Sequence, residues 1–186
     1  MPALAALLAG AVPPSPATLE AFEHALARQD SATLALEEWC AARAIAHPAT
    51  ITAEKDSAPD DAAPAQLAET LQLGPQDTPA QRKVRLACGS VTLSIAWNWF
   101  VPARMTPDMV RTLQTTNVPF GKVASPLRFR RIALKTVSGR AAPCPHGTIS
   151  SHRALLVLPD ERPLALVLEC YTEANLRSGR MQKSKP

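Results

Sequence analysis

No two cysteines in this sequence are spaced as C-x-x-C, and no apolar run approaches the ~18 residues needed to span a bilayer. Cys40, Cys88, Cys144 and Cys170 lie far apart, which gives zinc no framework and makes reduced cytosolic thiols the expectation. Cys144-Pro145-His146 sets a thiol near an imidazole, but two such groups do not make a metal site, and a proline-constrained loop is the plainer reading. G-x-G-x-x-G, the P-loop, G-x-S-x-G and H-E-x-x-H are all missing, so nucleotide cofactors and zinc hydrolysis have no motif support. Aromatic residues make up 4% of the chain and do not interleave with a basic stripe, which removes the usual signature of nucleic-acid binding. The expectation is a cytoplasmic monomer without cofactor, metal, nucleic-acid or membrane partner.

What is present suffices for one domain. The chain has 186 residues, 46% of them hydrophobic, and 18 prolines mark many breaks. Twenty basic residues against sixteen acidic ones leave a formal charge of +4. Part of that excess is terminal, because "RSGRMQKSKP" closes the chain with four basic residues and no acidic one and has almost nothing to bury. The opening "MPALAALLAGAVPPSPA" contains a short apolar run but lacks the Lys or Arg that precedes a secretory h-region. The chain therefore divides into a flexible segment 1–15, a domain over 16–175 and a basic disordered tail 176–186.

Leu19, Phe22 and Leu26 fall at helical spacing. After a tight turn, Asp30 or Ser31 can cap a second helix whose apolar side includes Leu34, Trp39 and Cys40. "PATITA" is short and β-prone. The stretch around residues 59–79 reads as a loop or flap with one helical turn near Leu67 to Leu71. From Lys83 a hairpin follows: Val84, Leu86 and Cys88 alternate with Lys83, Arg85 and Ala87, Gly89-Ser90 turns the chain, and Val91, Leu93, Ile95, Trp97, Trp99 and Val101 continue the period of two. Thr106 caps a helix with Pro107 at its first position. "PLRFRRIALKTV" is a strand with an irregularity near Arg130-Arg131, and "HRALLVL" and "LALVLECYT" form a last hairpin. Helices first and antiparallel hairpins after them, with no internal repeat, is an α+β layout.

Glu169 sits among leucines and valines in "PLALVLECYT". A carboxylate in such a strand must be paired, protonated or facing a polar cavity. It either lines a ligand pocket or pairs structurally with a basic neighbour on the sheet. Trp97 and Trp99 read as packing residues, and none of His24, His47, His146 and His152 stands out as a base.

These blocks, taken in order, resemble the chorismate lyase family over roughly residues 20 to 172. "ARQDSATLALEEW" is similar to that family's D-S-x-T turn and helix, "ATITAEKD" to its following strand, and Lys83 to Pro102 to its hairpin ending in Val-Pro. "VPFGK" resembles its T-P-L-G turn, and "PLALVLE" its closing strand ending in Glu. The resemblance implies an α+β fold with a sheet of about six antiparallel strands, helices on one face and helical flaps over an internal pocket. It implies cofactor-independent removal of pyruvate from chorismate to leave 4-hydroxybenzoate, a step of ubiquinone synthesis. Carried over residue by residue, it puts substrate contacts at Ala32 and Phe120, the site glutamate at Glu169, and Lys83 where the family has a carboxylate-binding arginine, with Arg85 two residues on.

Chorismate is a dianion, so its site needs cations for both carboxylates and a group that relays a proton. Glu169 with Lys83 or Arg85 supplies opposite charges, and Arg128, Arg130 and Arg153 are further candidates for a carboxylate clamp. Each of these arginines is also an ordinary surface residue by type. A second possibility is a non-catalytic module that binds a small aromatic acid on the same fold, because related folds serve as effector-binding domains of bacterial transcription regulators. Fewer than twenty residues precede the first helix, too few for a helix-turn-helix, so such a module is expected to stand alone.

Overall fold

The computed structural model describes residues 17–56 and 62–177; the expectations for segment 1–15 and for all but the first two residues of the tail lie outside them. Thr18 caps helix α1 (Leu19–Ala27), its side chain accepting from the Ala21 N–H, and Ser31, not Asp30, caps α2 (Ala32–Ala42). Strand β1 (Ile51–Lys55) follows, then the single helical turn α3 (Leu67–Thr70). The expected hairpin is β2 (Ala80–Cys88) and β3 (Val91–Phe100), and Gly89 makes its turn at φ 56°. Helix α4 (Pro107–Thr115) starts at the Thr106 cap with proline in its first turn. The "NVPFGK" segment, expected as a turn, leads directly into a short helix, α5 (Phe120–Ala124). Strands β4 (Arg130–Ser138), β5 (Thr148–Val157) and β6 (Pro163–Thr172) complete the chain.

The six strands form one antiparallel sheet in the order β1-β2-β3-β6-β5-β4. The last strand therefore lies between β3 and β5, and its first nine residues are buried. That position explains why its sequence is a nearly unbroken apolar run: both faces are covered. On one face lie α1, α2, α4 and α5. Phe22, Leu36 and Trp39 pack there on Val84, Ala96 and Tyr171, and Leu113, Phe120 and Val123 pack on Phe100, Leu156 and Val167.

The opposite face carries a smaller core. Leu67 and Leu71 pack on Trp97, Trp99, Leu166 and Leu168, so the tryptophans are packing residues as expected. The described part of the flap thus lies on this face, away from the α1/α2 side. Arg104 clamps it there, donating to the carbonyls of Leu71 (2.7 Å) and Gln72 (2.9 Å) and to Asp77 Oδ2 (2.8 Å). Its Nη1 also donates to the Pro163 carbonyl, which ties the flap to the start of β6.

The cysteines depart from expectation. Cys40 on α2 is bonded to Cys88 at the end of β2, and Cys144 in the loop before β5 is bonded to Cys170 on β6, with Cα separations of 6.4 and 5.6 Å. Spacing along the chain could not reveal this, because each pair is brought together only by the sheet. Reduced thiols, and with them the basis for a cytosolic setting, are replaced by two crosslinks. Unfolded in denaturant without reductant, the protein should show no alkylatable thiol, and four after reduction. Replacing either pair by alanine should lower stability by about 2–4 kcal/mol in a urea titration; free thiols before reduction would refute the pairing.

Candidate functional site

Residues directly opposite one another in a sheet share a face. Glu169 is opposite Ala96 of β3 and His152 of β5, and Ala96 is opposite Val84 of β2. Glu169 therefore projects to the α1/α2 face together with Val84. Lys83 is opposite Trp97, which is opposite Leu168, so Lys83 and Arg85 project to the other face. There Lys83 lies 3.6 Å from Asp56 and 4.9 Å from the centre of the Trp97 ring, and Arg85 makes a half-exposed pair with Glu54 at 3.1 Å. Neither can meet a ligand at Glu169, which corrects the expected partnership. Arg153, opposite Leu168, is also on the wrong face.

The cation that Glu169 meets is Arg131 on β4. Its two terminal nitrogens donate to the two carboxylate oxygens at 3.2 and 2.5 Å, a forked arrangement that only arginine can make. Tyr171, two residues along β6 on the same face, donates its hydroxyl to Glu169 Oε2 at 2.9 Å. The carboxylate is 6% exposed and the guanidinium 14%. Burial alone would disfavour the charge on Arg131; the adjoining Glu169 carboxylate more than offsets this and holds the guanidinium firmly protonated. Burial, reinforced by the Glu169 charge, pushes the Tyr171 phenol well above its ordinary value, so it remains a donor. Neighbouring Arg130 instead pairs with Glu161 at the surface. The slip expected near Arg130-Arg131 occurs two residues later, between Ala133 and Lys135.

Three segments converge over this pair. The backbone N–H of Arg131 donates to Asp30 Oδ1 at 2.9 Å, fastening the α1–α2 turn to β4. The N-terminus of α2 and the start of α5 meet so closely that a Cβ on Gly121 would lie 2.2 Å from Ser31 Oγ. Arg82 holds the segment before α5: it donates to the carbonyls of Thr116 (3.0 Å) and Val118 (3.1 Å). Arg82 is the basic residue of β2 that shares the Glu169 face, one position before the expected Lys83. It is 5% exposed, and burial lowers its pKa.

Between these segments and the sheet lie two compartments whose linings share Asp30, Ala32 and Arg131. The inner one, about 30 Å³, is bounded by Glu169, Ala32 and Phe120, so those three expected positions come together as the resemblance implied. Asn98, which no sequence signal singled out, also lines it. The outer one, about 260 Å³, runs beneath α1 past Glu23, His152 and Tyr171. His152 Nε2 stands 2.8 Å from Glu23 there. Arg128 is exposed, with a left-handed backbone (φ 52°), and lines a surface groove with Arg28 that shares Asp30, Ser31, Gly121 and Phe129 with the inner compartment. Among the described residues no cluster of His, Cys, Asp or Glu suited to a metal occurs, and no helix is long and apolar enough to cross a membrane.

No family model matches the chain. The uncharacterised protein y4mC of Sinorhizobium fredii is 34% identical over 175 residues, covering 84% of this chain and 74% of that protein. The crystal structure of PhnF from Mycobacterium smegmatis matches with a TM-score of 0.55 at 13% identity, over 84% of this chain and 70% of that one. The PhnF effector domain from the same organism matches at 0.53 and 15% identity, over 77% and 89%. At such identities the likeness is one of fold, and the fold is the expected chorismate lyase-like one: α+β, with six antiparallel strands.

Two outcomes follow from the buried network. Arg131→Met or Glu169→Leu alone should cost about 3–5 kcal/mol in urea unfolding, and the double replacement should recover most of that, because an unpaired buried charge is worse than none. Additive losses would refute the coupling. Tyr171 is the protein's one tyrosine, so absorbance at 295 nm follows it alone. Because its folded pKa is raised, its contribution to stability is intact below pH ~10, the unfolded value, and is lost as pH climbs towards the folded value. The absorbance should stay flat through pH 10 and rise only with unfolding.

Proposed function

The chain belongs to the same family as the uncharacterised y4mC protein of Sinorhizobium fredii, and from the geometry of the cavity we propose that it is a small-molecule-binding module that does not transform its ligand. The supporting observation is the Arg131–Glu169–Tyr171 network, a buried set of charges placed against a cavity instead of being packed over. Buried ion pairs are weak devices for stability, since well-packed apolar residues do as well or better. Such a pair lining a hollow under three converging segments suits a polar ligand. The likeness in fold to the effector domain of PhnF is compatible with the same reading, since a fold of this kind does not by itself require catalysis.

Chorismate lyase activity remains the alternative that the sequence resemblance raised. It would need cations for two ligand carboxylates. Lys83, Arg85 and Arg153 lie on the other face and Arg131 is matched by Glu169, which leaves Arg82, two of whose nitrogens are engaged by backbone carbonyls, as a single cation on the Glu169 side of β2. The charge inventory therefore favours binding over turnover.

The test is a thermal-shift panel of small acids, alcohols, amides, amines and sugars, run beside an assay for pyruvate from chorismate. At least one compound should stabilise the protein, by about 2.7 kcal/mol at a hundred times its Kd. Arg131→Met should lose that response, and no pyruvate should appear. Release of pyruvate and 4-hydroxybenzoate at catalytic rates would replace the proposal with the lyase.

A further inference from the structure

Lys135 on β4 lies directly opposite Arg153 on β5. Residues paired in this way hold their β carbons about 5 Å apart, and like charges so placed repel. Arg153 is in turn opposite Leu168, so both cations stand on the face away from Glu169. Neither meets a carboxylate or a carbonyl. Among the described arginines and lysines, these two and Arg128 alone make no hydrogen bond or ion pair, whereas neighbouring Arg130 is matched by Glu161 and Arg140 by the Cys144 carbonyl.

The same strand is an open edge. The sheet ends in β1 on one side and β4 on the other. On β1 the Ala53 N–H donates to the Asn117 carbonyl at 2.8 Å, so a neighbouring segment covers that edge. On β4 Asp30 takes the Arg131 N–H, but past that point the strand pairs with β5 alone, and residues 133 to 136 are all exposed. Leu134 is 47% exposed, one of two large apolar side chains so placed among the described residues, and it has no partner on β5 where the register slips. A row of backbone donors and acceptors at a sheet edge is a template for a further strand.

The cations decide what that strand can carry. A second copy pairing antiparallel through this edge would bring its own Lys135 and Arg153 beside a pair that already repels. A nucleic acid or a lipid headgroup could meet the cations but not the backbone row, which calls for another peptide backbone. Lysine on an edge strand guards against indiscriminate pairing; it repels a basic strand and draws an acidic one. We propose that the outer edge of β4 receives an extended acidic segment of a partner protein, which adds to the sheet as a strand. Its carboxylates lie against Lys135 and Arg153, and an apolar side chain covers Leu134.

The test is selection of a displayed random-peptide library on the full chain, which should enrich acidic sequences. A synthetic peptide from that set should bind Lys135→Glu about fivefold or more weakly, and should bind the unaltered protein less well as salt rises. Lys135→Glu also sets opposite charges on facing residues, so its melting temperature should hold or rise, which separates lost binding from misfolding. N-methylation of one alternate set of the peptide's backbone amides should abolish binding and of the other set should not, since an added strand bonds through every second residue. A contact made by charge alone would survive both. No enrichment, enrichment of neutral or basic sequences, or binding that Lys135→Glu leaves unchanged would overturn the proposal. So would tighter Lys135-dependent binding of single-stranded DNA or phosphatidylserine vesicles, or a dimer that Lys135→Glu dissociates.

Discussion

A carboxylate on the most enclosed strand of a sheet constrains everything built around it. Glu169 lies on β6, between β3 and β5, and is out of water. In that setting its charge survives only if donors are delivered from the protein itself. The fold delivers three: two nitrogens of Arg131 from the edge strand β4 and the hydroxyl of Tyr171 from β6. Reaching Glu169 from β4 means spanning the width of β5. Arginine has the length for this, and the forked contact fixes its direction. The Asp30 link to the Arg131 backbone then pins the α1–α2 turn, so the roof of the cavity is positioned by the residue that neutralises its floor.

The period of two in a strand makes face assignment unforgiving. A one-residue change of position on β2 exchanges Lys83 for Arg82 and moves the cation from one core to the other. The sequence already held part of the answer. Val84, Leu86 and Cys88 were legible as one side of the hairpin, and Lys83 and Arg85 as the other. Which side faces Glu169 depends on the register of β3 against β6, a pairing of segments about seventy residues apart that no local pattern encodes. The strands, the hairpin turn, the Thr106 cap and the two leading helices were legible because each depends on contacts within a few residues.

The features missed share the opposite property. Arg131 was visible as part of a slip in alternation, but its neighbour Arg130 offered the same side chain, and only the tertiary position separates a surface partner of Glu161 from the buried partner of Glu169. Asn98 follows Trp97 in a strand whose aromatic residues carry the pattern, so a single amide among them raises no signal until it is placed on the Glu169 face, opposite Arg82. The cysteines are similar: Cys40 and Cys88 are 48 residues apart, and Cys144 and Cys170 are 26 apart. Once paired, they tie α2 to β2 and the loop before β5 to β6, the elements that carry the roof and floor of the cavity.

The charge balance at the centre also separates two ways of using one fold. A site meant to hold a dianion through a reaction gains most from cations whose partners are absent until substrate arrives, since the field is then preorganised for the charge to come. Arg131 is not kept in reserve in that manner, because it spends its terminal nitrogens on Glu169; Arg82 gives two nitrogens to backbone carbonyls, and its buried Nε has no partner among the described residues. A dianion would have to displace Glu169 from Arg131 and leave that carboxylate bare in an apolar setting, the costliest arrangement available to it. A neutral ligand needs no such exchange and leaves the ion pair intact. The geometry that makes Glu169 tolerable in the core is therefore the same geometry that leaves the Arg131 charge already matched before any ligand arrives.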